Sequence, residues 1–235
     1  MTITLITGAN RGLGKETARR LIAAGHTVYI GARDKRLGEE AAAELGGRPL
    51  ALDITDDASV RAAAEQVGAE AGCLDVLVNN AGIIGPGNDA HDATAEQVRT
   101  TYETNVFGAV RVTHAFLPLL EASESPVIVN VSSSLGSLGI AAAPERHTSI
   151  LPVYYPALAY NSSKAALNMI TAQYARTHPK MRINAVDPGH TATDLNGHTG
   201  PQTVAEGADI IVRMALIGPD GPTGGFFGND GPVPW

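Results

Sequence analysis

Two hydrophobic patterns alternate along this chain. Short apolar runs of strand length recur at about 3–7, 27–31, 49–52, 74–79, 126–131, 182–186 and 224–228. Longer amphipathic stretches with helical spacing lie between them, at about 12–24, 35–45, 57–71, 96–121, 158–177 and 203–216. Mostly apolar strands separated by helices predict an α/β fold, a doubly wound parallel sheet with helices on both faces. Ligands of such sheets bind at the carboxyl ends of the strands. Pro118 falls late in the fourth helical stretch and is expected to end or kink it. Segments 134–157 and 187–203 carry Gly and Pro without helical or strand period and read as long loops over a binding site.

The first strand-like run, Ile3-Thr4-Leu5-Ile6, leads into Thr7-Gly8-Ala9-Asn10-Arg11-Gly12-Leu13-Gly14 and then a helix. Strand, glycine-rich turn and helix start together form a phosphate cradle, because the glycines admit close backbone approach and a helix N-terminus offers free N–H groups. The glycine spacing is three residues and then one, not the common G-x-G-x-x-G, and a plain turn is the alternative. Further along, Tyr160 and Lys164 stand four apart in a predicted helix, on one face. An ammonium beside a phenol favours the phenolate and lowers the tyrosine pKa from about 10, so that the pair can pass a proton near neutrality. A solvated helix face is the competing reading.

Bulk properties narrow the classes. A chain of 235 residues suits one α/β domain, 1–235, with 44% hydrophobic and 17% charged residues. The formal net charge of −7 without a basic block argues against nucleic acid. No apolar run reaches membrane-spanning length, the first strand begins at residue 3, and Cys73 is the single cysteine, so no membrane and a cytoplasmic location are expected. Histidines at 91, 114, 147, 178, 190 and 198 show no metal-ligand spacing, and no metal is expected. His190 and His198, in the loop after Pro188-Gly189, could line a substrate pocket, but read better as solvated loop residues. No G-x-S-x-G elbow supports a serine hydrolase.

With these motifs in place, the chain resembles the short-chain dehydrogenase/reductase family, and its carbonyl-reductase-like members in particular. The resemblance runs from residue 3 to about 195. It rests on Thr7-Gly8-x-x-x-Gly12-x-Gly14, Asn79-Asn80-Ala81-Gly82 after a strand, Asn105 in a helix, Ser132-Ser133 after a strand, Tyr160-x-x-x-Lys164, and Pro188-Gly189. It implies one Rossmann-type domain, with a cofactor half at about 1–125 and a catalytic and substrate half at about 126–235. It implies an enzyme in which Tyr160 gives a proton to a ketone, aldehyde or quinone oxygen while hydride passes from NADPH to the carbonyl carbon. Ser133 would polarise that oxygen, Lys164 would bind the nicotinamide ribose, and Asn105 would hold a water in a proton relay. The run Ser132-Ser133-Ser134 leaves the choice of serine open to physical argument, and the family pattern points to Ser133.

The same resemblance assigns the cofactor to Gly8, Asn10, Arg11, Gly12, Leu13, Gly14, Asp53, Ile54, Asn80, Ala81, Gly82, Pro188, Gly189 and Thr191, with Tyr160 and Lys164. Asp53 would contact the adenine amino group, though it could cap the next helix instead. The second strand ends in Ala32-Arg33-Asp34. A carboxylate at this tip selects NAD, whereas an arginine can grip the 2′-phosphate of NADP, with Arg11 reaching the same group. Arg33 favours NADPH, and a register slip of one residue would bring Asp34 to the tip.

Ser133 and Tyr160 are 27 residues apart, about twice the common family spacing. Such an insertion typifies carbonyl-reductase-like members and can cover the helix that otherwise pairs subunits, which favours a monomer over a homodimer or tetramer. The partner expected is a small carbonyl or alcohol. Two other functions remain: an NAD-dependent secondary-alcohol dehydrogenase, and a non-catalytic NADP-binding redox regulator.

Overall fold

Alternation within single strands sends neighbouring side chains into two different cores. In the computed structural model, which describes residues 1–86 and 89–235, Leu5 faces one layer and Ile6 the other, as do Leu77 and Val78, and Ile128 and Val129. One core joins Ile6, Val28, Ile30, Val78 and Val129 to helices α1 (Gly12–Ala23), α2 (Lys35–Leu45) and α8 (Val204–Ala215). The other joins Leu5, Tyr29, Leu77 and Ile128 to α3 (Asp57–Ala71) and α5 (Ala109–Glu121), with the end of α7 (Leu158–Thr177). Apolar residues on both faces are what a sheet covered on both sides requires.

The strands are β1 (Ile3–Thr7), β2 (Thr27–Ala32), β3 (Arg48–Ala51), β4 (Val76–Asn79), β5 (Val127–Val131), β6 (Arg182–Val186), β7 (Phe226–Gly228) and β8 (Gly231–Pro232). They form one sheet in the order β3-β2-β1-β4-β5-β6-β7-β8, parallel throughout except for the final β7–β8 pair. β1 bonds β2 on one side and β4 on the other, so the chain order reverses there and a crevice opens at the carboxyl ends of β1 and β4. Among the described residues no helix is long and apolar enough to cross a membrane.

The fourth predicted helix is not continuous. It comprises α4 (Ala95–Tyr102), a wide π-helical turn over Glu103–Gly108, and α5. The wide turn holds Asn105, whose side chain bonds away from the helix (below), and the apolar period runs on through it. Pro118 does not end α5, which continues to Glu121. The segment 134–157 holds a 3-10 turn over Ser134–Gly136, the short helix α6 (Leu138–Ala142) and another 3-10 turn over Pro144–Arg146. Its residues Ile140, Leu151 and Tyr154 pack on Ala185, Phe226 and Val233 in a third, small core.

Candidate active site

The glycine turn lies where β1 ends. Gly8 has φ +64°, in the left-handed region. At Gly14 a Cβ would stand 2.6 Å from the carbonyl oxygen of Gly8, so only glycine lets α1 begin so close to the strand. No side chain caps α1, and its first turn holds no acidic residue. The N-terminal N–H groups therefore face the crevice without an anionic partner from the chain. Thr7 ties this turn to the end of β4: its hydroxyl accepts from the N–H groups of Asn80 and Ala81, each at 3.0 Å. The Asn80 amide donates back to the carbonyls of Thr7 at 2.8 Å and Gly8 at 3.2 Å. Leu13 packs against the first core.

At the tip of β2, Ala32 is buried and Arg33 is exposed. Asp34 is the N-cap of α2 and accepts from the Leu37 N–H at 3.1 Å. That bond fixes the register, with Arg33 the free charge at the tip and Asp34 committed to its helix. Asp53 does not cap α3, since Asp56 does so by accepting from the Ala58 N–H. Asp53 instead accepts from the N–H and hydroxyl of Thr55 at 2.9 and 2.7 Å. Burial pushes its carboxyl up, but the Thr55 bonds and the nearby charges of Arg33 and Arg111 hold it below the usual range. The Ile54 side chain is buried in the second core. Arg11 reaches across to Asp194 at 3.4 Å, an exposed pair.

Four predicted residues converge at the ends of β4 and β5. Lys164, 5% exposed, donates from Nζ to the carbonyl of Val131 at 2.8 Å. Its Nζ lies 5.6 Å from the centre of the Tyr160 ring. Asn105 accepts from the Ile83 N–H at 2.9 Å and donates to the Ile83 carbonyl at 2.8 Å and to Ser163 Oγ at 3.0 Å. Gly82 sits between them: a Cβ there would be 3.3 Å from Asn105 Oδ1 and 3.6 Å from Lys164 Nζ. The structure also separates the three serines. Ser132 is buried and donates to Asn168 Oδ1 at 2.6 Å. Ser134 is buried and bonds Asp187. Ser133 alone is part-exposed, and its hydroxyl is bonded to the Tyr160 phenol.

One expectation is reversed. Tyr160 is half-buried over its whole surface, yet its phenol is withdrawn from water. That burial pushes its pKa up to about 12, with the charge of Asp187 adding and the Ser133 bond opposing. Lys164 is brought down to about 8 by its own burial, against the pull of Asp187. In the chain's own field, burial and the charge of Asp187 outweigh the Ser133 bond at the phenol.

In the loop after β6, Pro188 is buried and Gly189 is exposed. The Thr191 hydroxyl turns back on the carbonyls of Pro188 and Gly189, both at 3.3 Å. It is Thr193, two residues on, that approaches the glycine turn, its Cγ2 lying 3.8 Å from where a Gly12 Cβ would be. His190 meets Tyr155 edge-on with ring centres 6.4 Å apart, so the loop and the insert touch at the mouth of the site. His198 pairs with Asp194 at 2.9 Å. Sequence reasoning passed over Thr193, Ser163 and Asp187. Ser163 sits inside the Tyr160–Lys164 motif, Thr193 lies in the loop after Pro188-Gly189, and Asp187 directly precedes Pro188.

A sequence model described as short chain dehydrogenase matches residues 2–203. The chain is 38% identical over 279 aligned positions to (+)-neomenthol dehydrogenase of Arabidopsis thaliana, covering 95% of this chain and 94% of that one. Its structure resembles NADPH-bound carbonyl reductase from chicken fatty liver, with TM-score 0.85, 28% identity and 100% of each chain covered. It also resembles 3-ketoacyl-(acyl-carrier-protein) reductase from Brucella melitensis, solved with NADH, with TM-score 0.82, 27% identity, and 97% of this chain and 96% of that one covered.

Proposed function

The chain belongs to the short-chain dehydrogenase family of oxidoreductases, and from that premise we propose that it reduces a ketone, aldehyde or quinone with NADPH, using Tyr160 as general acid. The observation that carries this reading is the contact between Ser133 and the Tyr160 phenol, with the Lys164 ammonium beside the ring. The crevice fits a dinucleotide: the glycine turn, the uncapped start of α1 and the Thr7–Asn80 brace leave donors and space for a pyrophosphate. Asp53 would take the adenine amino group. Arg33, free of any ion pair among the described residues, supports NADPH over NADH, and the NADPH-bound carbonyl reductase agrees with it. The NADH-bound relative shows that the fold alone does not select.

The chain's residues at the crevice would hold a reduced nicotinamide, which would supply hydride to the carbonyl carbon. Tyr160, with its phenol pKa pushed up to about 12, is protonated at neutral pH and holds the proton that the substrate oxygen needs. Ser133, bonded to the Tyr160 phenol, is placed to donate to the same oxygen as charge develops on it. Lys164 is positioned for the ribose and for the phenolate left by proton transfer. Asn105, anchored on Ile83, fixes the wall behind Lys164. Tyr155, exposed and in contact with His190 of the loop after Pro188, and the exposed Val153 of the same insert favour an apolar substrate.

Loss of NADPH absorbance with a panel of aldehydes, ketones and quinones tests the reading. Tyr160→Phe is expected to lower turnover by roughly 10²–10⁴-fold while sparing NADPH binding. Near wild-type turnover in that variant would defeat the assignment.

A further inference from the structure

Asp187 is a carboxylate that the proposed chemistry does not use. It follows β6 at the carboxyl edge of the sheet and is 7% exposed. Gly189 N–H donates to its Oδ1 at 3.0 Å, and the N–H and hydroxyl of Ser134 bond it as well. Burial raises the pKa of this carboxyl, while the bonds from Gly189 and Ser134 and the charge of Lys164 oppose the rise and favour the ionised, acceptor-only form. Its backbone is held on both sides: its own N–H donates to the Phe227 carbonyl at 2.8 Å, and the Val186 carbonyl before it accepts from Ser132 at 2.7 Å. Val186 is the register partner of Val131, whose carbonyl holds Lys164 Nζ. Carboxylate and ammonium thus sit buried at the tips of adjacent strands.

Few groups compete for this pair. α7 brings Tyr160 and Lys164. The turn after β5 brings only Ser132, Ser133 and Ser134, and the π-helical turn brings Asn105. β7 brings no titratable side chain, and the loop after Pro188 brings His190, exposed against Tyr155. Among the described residues, Asp187 is the one charge that bears on both Tyr160 and Lys164, favouring the protonated form of each.

We infer that Asp187 is a positioning residue: its carboxylate joins the serine turn to the Pro188–Gly189 turn and keeps Lys164 charged, and so sets the alkaline limit of carbonyl reduction. The last clause rests on the reductase reading, whereas the coupling of Asp187 to Lys164 does not. With the carboxylate gone, Lys164 loses its proton at lower pH and Tyr160 becomes easier to ionise, so the alkaline limb of reduction moves toward acid. A staple without an electrostatic role would lower turnover and leave the limb in place.

The direct test is a pH titration of Lys164 by NMR of protein labelled at lysine Cε. Lys15, Lys35 and Lys180 are the other lysines, and a Lys164→Met spectrum assigns the signal. In Asp187→Asn the Lys164 midpoint is expected to fall by about one pH unit or more. Ser134→Ala, which loosens the turn but keeps the charge, is expected to leave the midpoint in place. Should the Asn variant fail to fold, the smaller Asp187→Ala answers the same question. A Lys164 midpoint unmoved by loss of the carboxylate overturns the inference. So does a shifted midpoint with an unmoved alkaline limb in an enzyme whose activity requires Tyr160. Turnover that survives Tyr160→Phe counts against the reductase reading alone, since the titration needs no activity.

Discussion

Lys164 should make the folded protein weaker than it would be with an apolar residue in its place. Its pKa falls from 10.5 in water to about 8 in the fold, chiefly through burial. Below the folded value the ammonium is charged in both states and the whole penalty applies. As pH rises from about 8 to 10.5, the unfolded chain binds more protons than the folded one, so stability rises with pH. At about 1.4 kcal/mol per pH unit, the penalty near neutrality is about 3 kcal/mol, with little solvent screening to discount at 5% exposure. Lys164→Met removes it but leaves the Val131 carbonyl without its donor, which costs about 1 kcal/mol. Denaturant unfolding should therefore find the variant more stable than the wild type by about 2 kcal/mol at about pH 7, with the difference gone by about pH 10. Tyr160 shifts the other way, losing stability as pH rises from 10.0 to about 12, but it does so in both proteins and cancels from the comparison. A gap that stays constant between the two pH values would refute the claim that burial depresses Lys164. Activity should vanish in the more stable protein.

Other outcomes follow from the same geometry. Arg33→Ala should weaken NADPH binding by roughly 10- to 100-fold, the worth of a charge-assisted contact, with little change for NADH; an unchanged preference in a cofactor titration would remove Arg33 from the phosphate site. Asp34→Ala should instead cost about 1 kcal/mol of thermal stability as a lost helix cap and leave cofactor preference alone. Asn105→Ala abandons both bonds to Ile83 and one to Ser163, and melting should show a loss of roughly 2–3 kcal/mol.

Much of the architecture was legible because local signals agreed. α2 begins at an Asp34 cap and stops at Gly46 in the left-handed region, and the predicted bounds match. The same holds for α7, whose 20 residues carry one continuous pattern into Tyr160 and Lys164. What escaped was set by partners distant in sequence. The break at Asn105 depends on Ile83, 22 residues away, while the apolar period runs on through it. Which serine faces Tyr160 depends on the 3-10 turn after Ser133, since three identical side chains give no pattern to read. The phenol pKa was expected to fall because a charge pair is visible in sequence and burial is not. Asp187 looked like an ordinary residue before a Pro-Gly turn, and only the flanking strands reveal that it is enclosed.

The widened turn over Glu103–Gly108 also constrains how this chain can change in length. A π-helical turn holds more residues than the α-helical turn it replaces. Deleting one residue here would restore a regular helix and improve its local hydrogen bonding. Because the wide turn already absorbs the extra residue, α4 and α5 would keep their mutual facing, with the buried Thr101 still turned inward, and the cost would fall on Asn105, drawn off Ile83. Substitutions along α4 and α5 can be judged one side chain at a time, but a single-codon deletion in this turn would remove the bulge that carries Asn105 to Ile83. Within families of such chains, the number of residues between Thr94 and Gly108 should drift far more slowly than their identities.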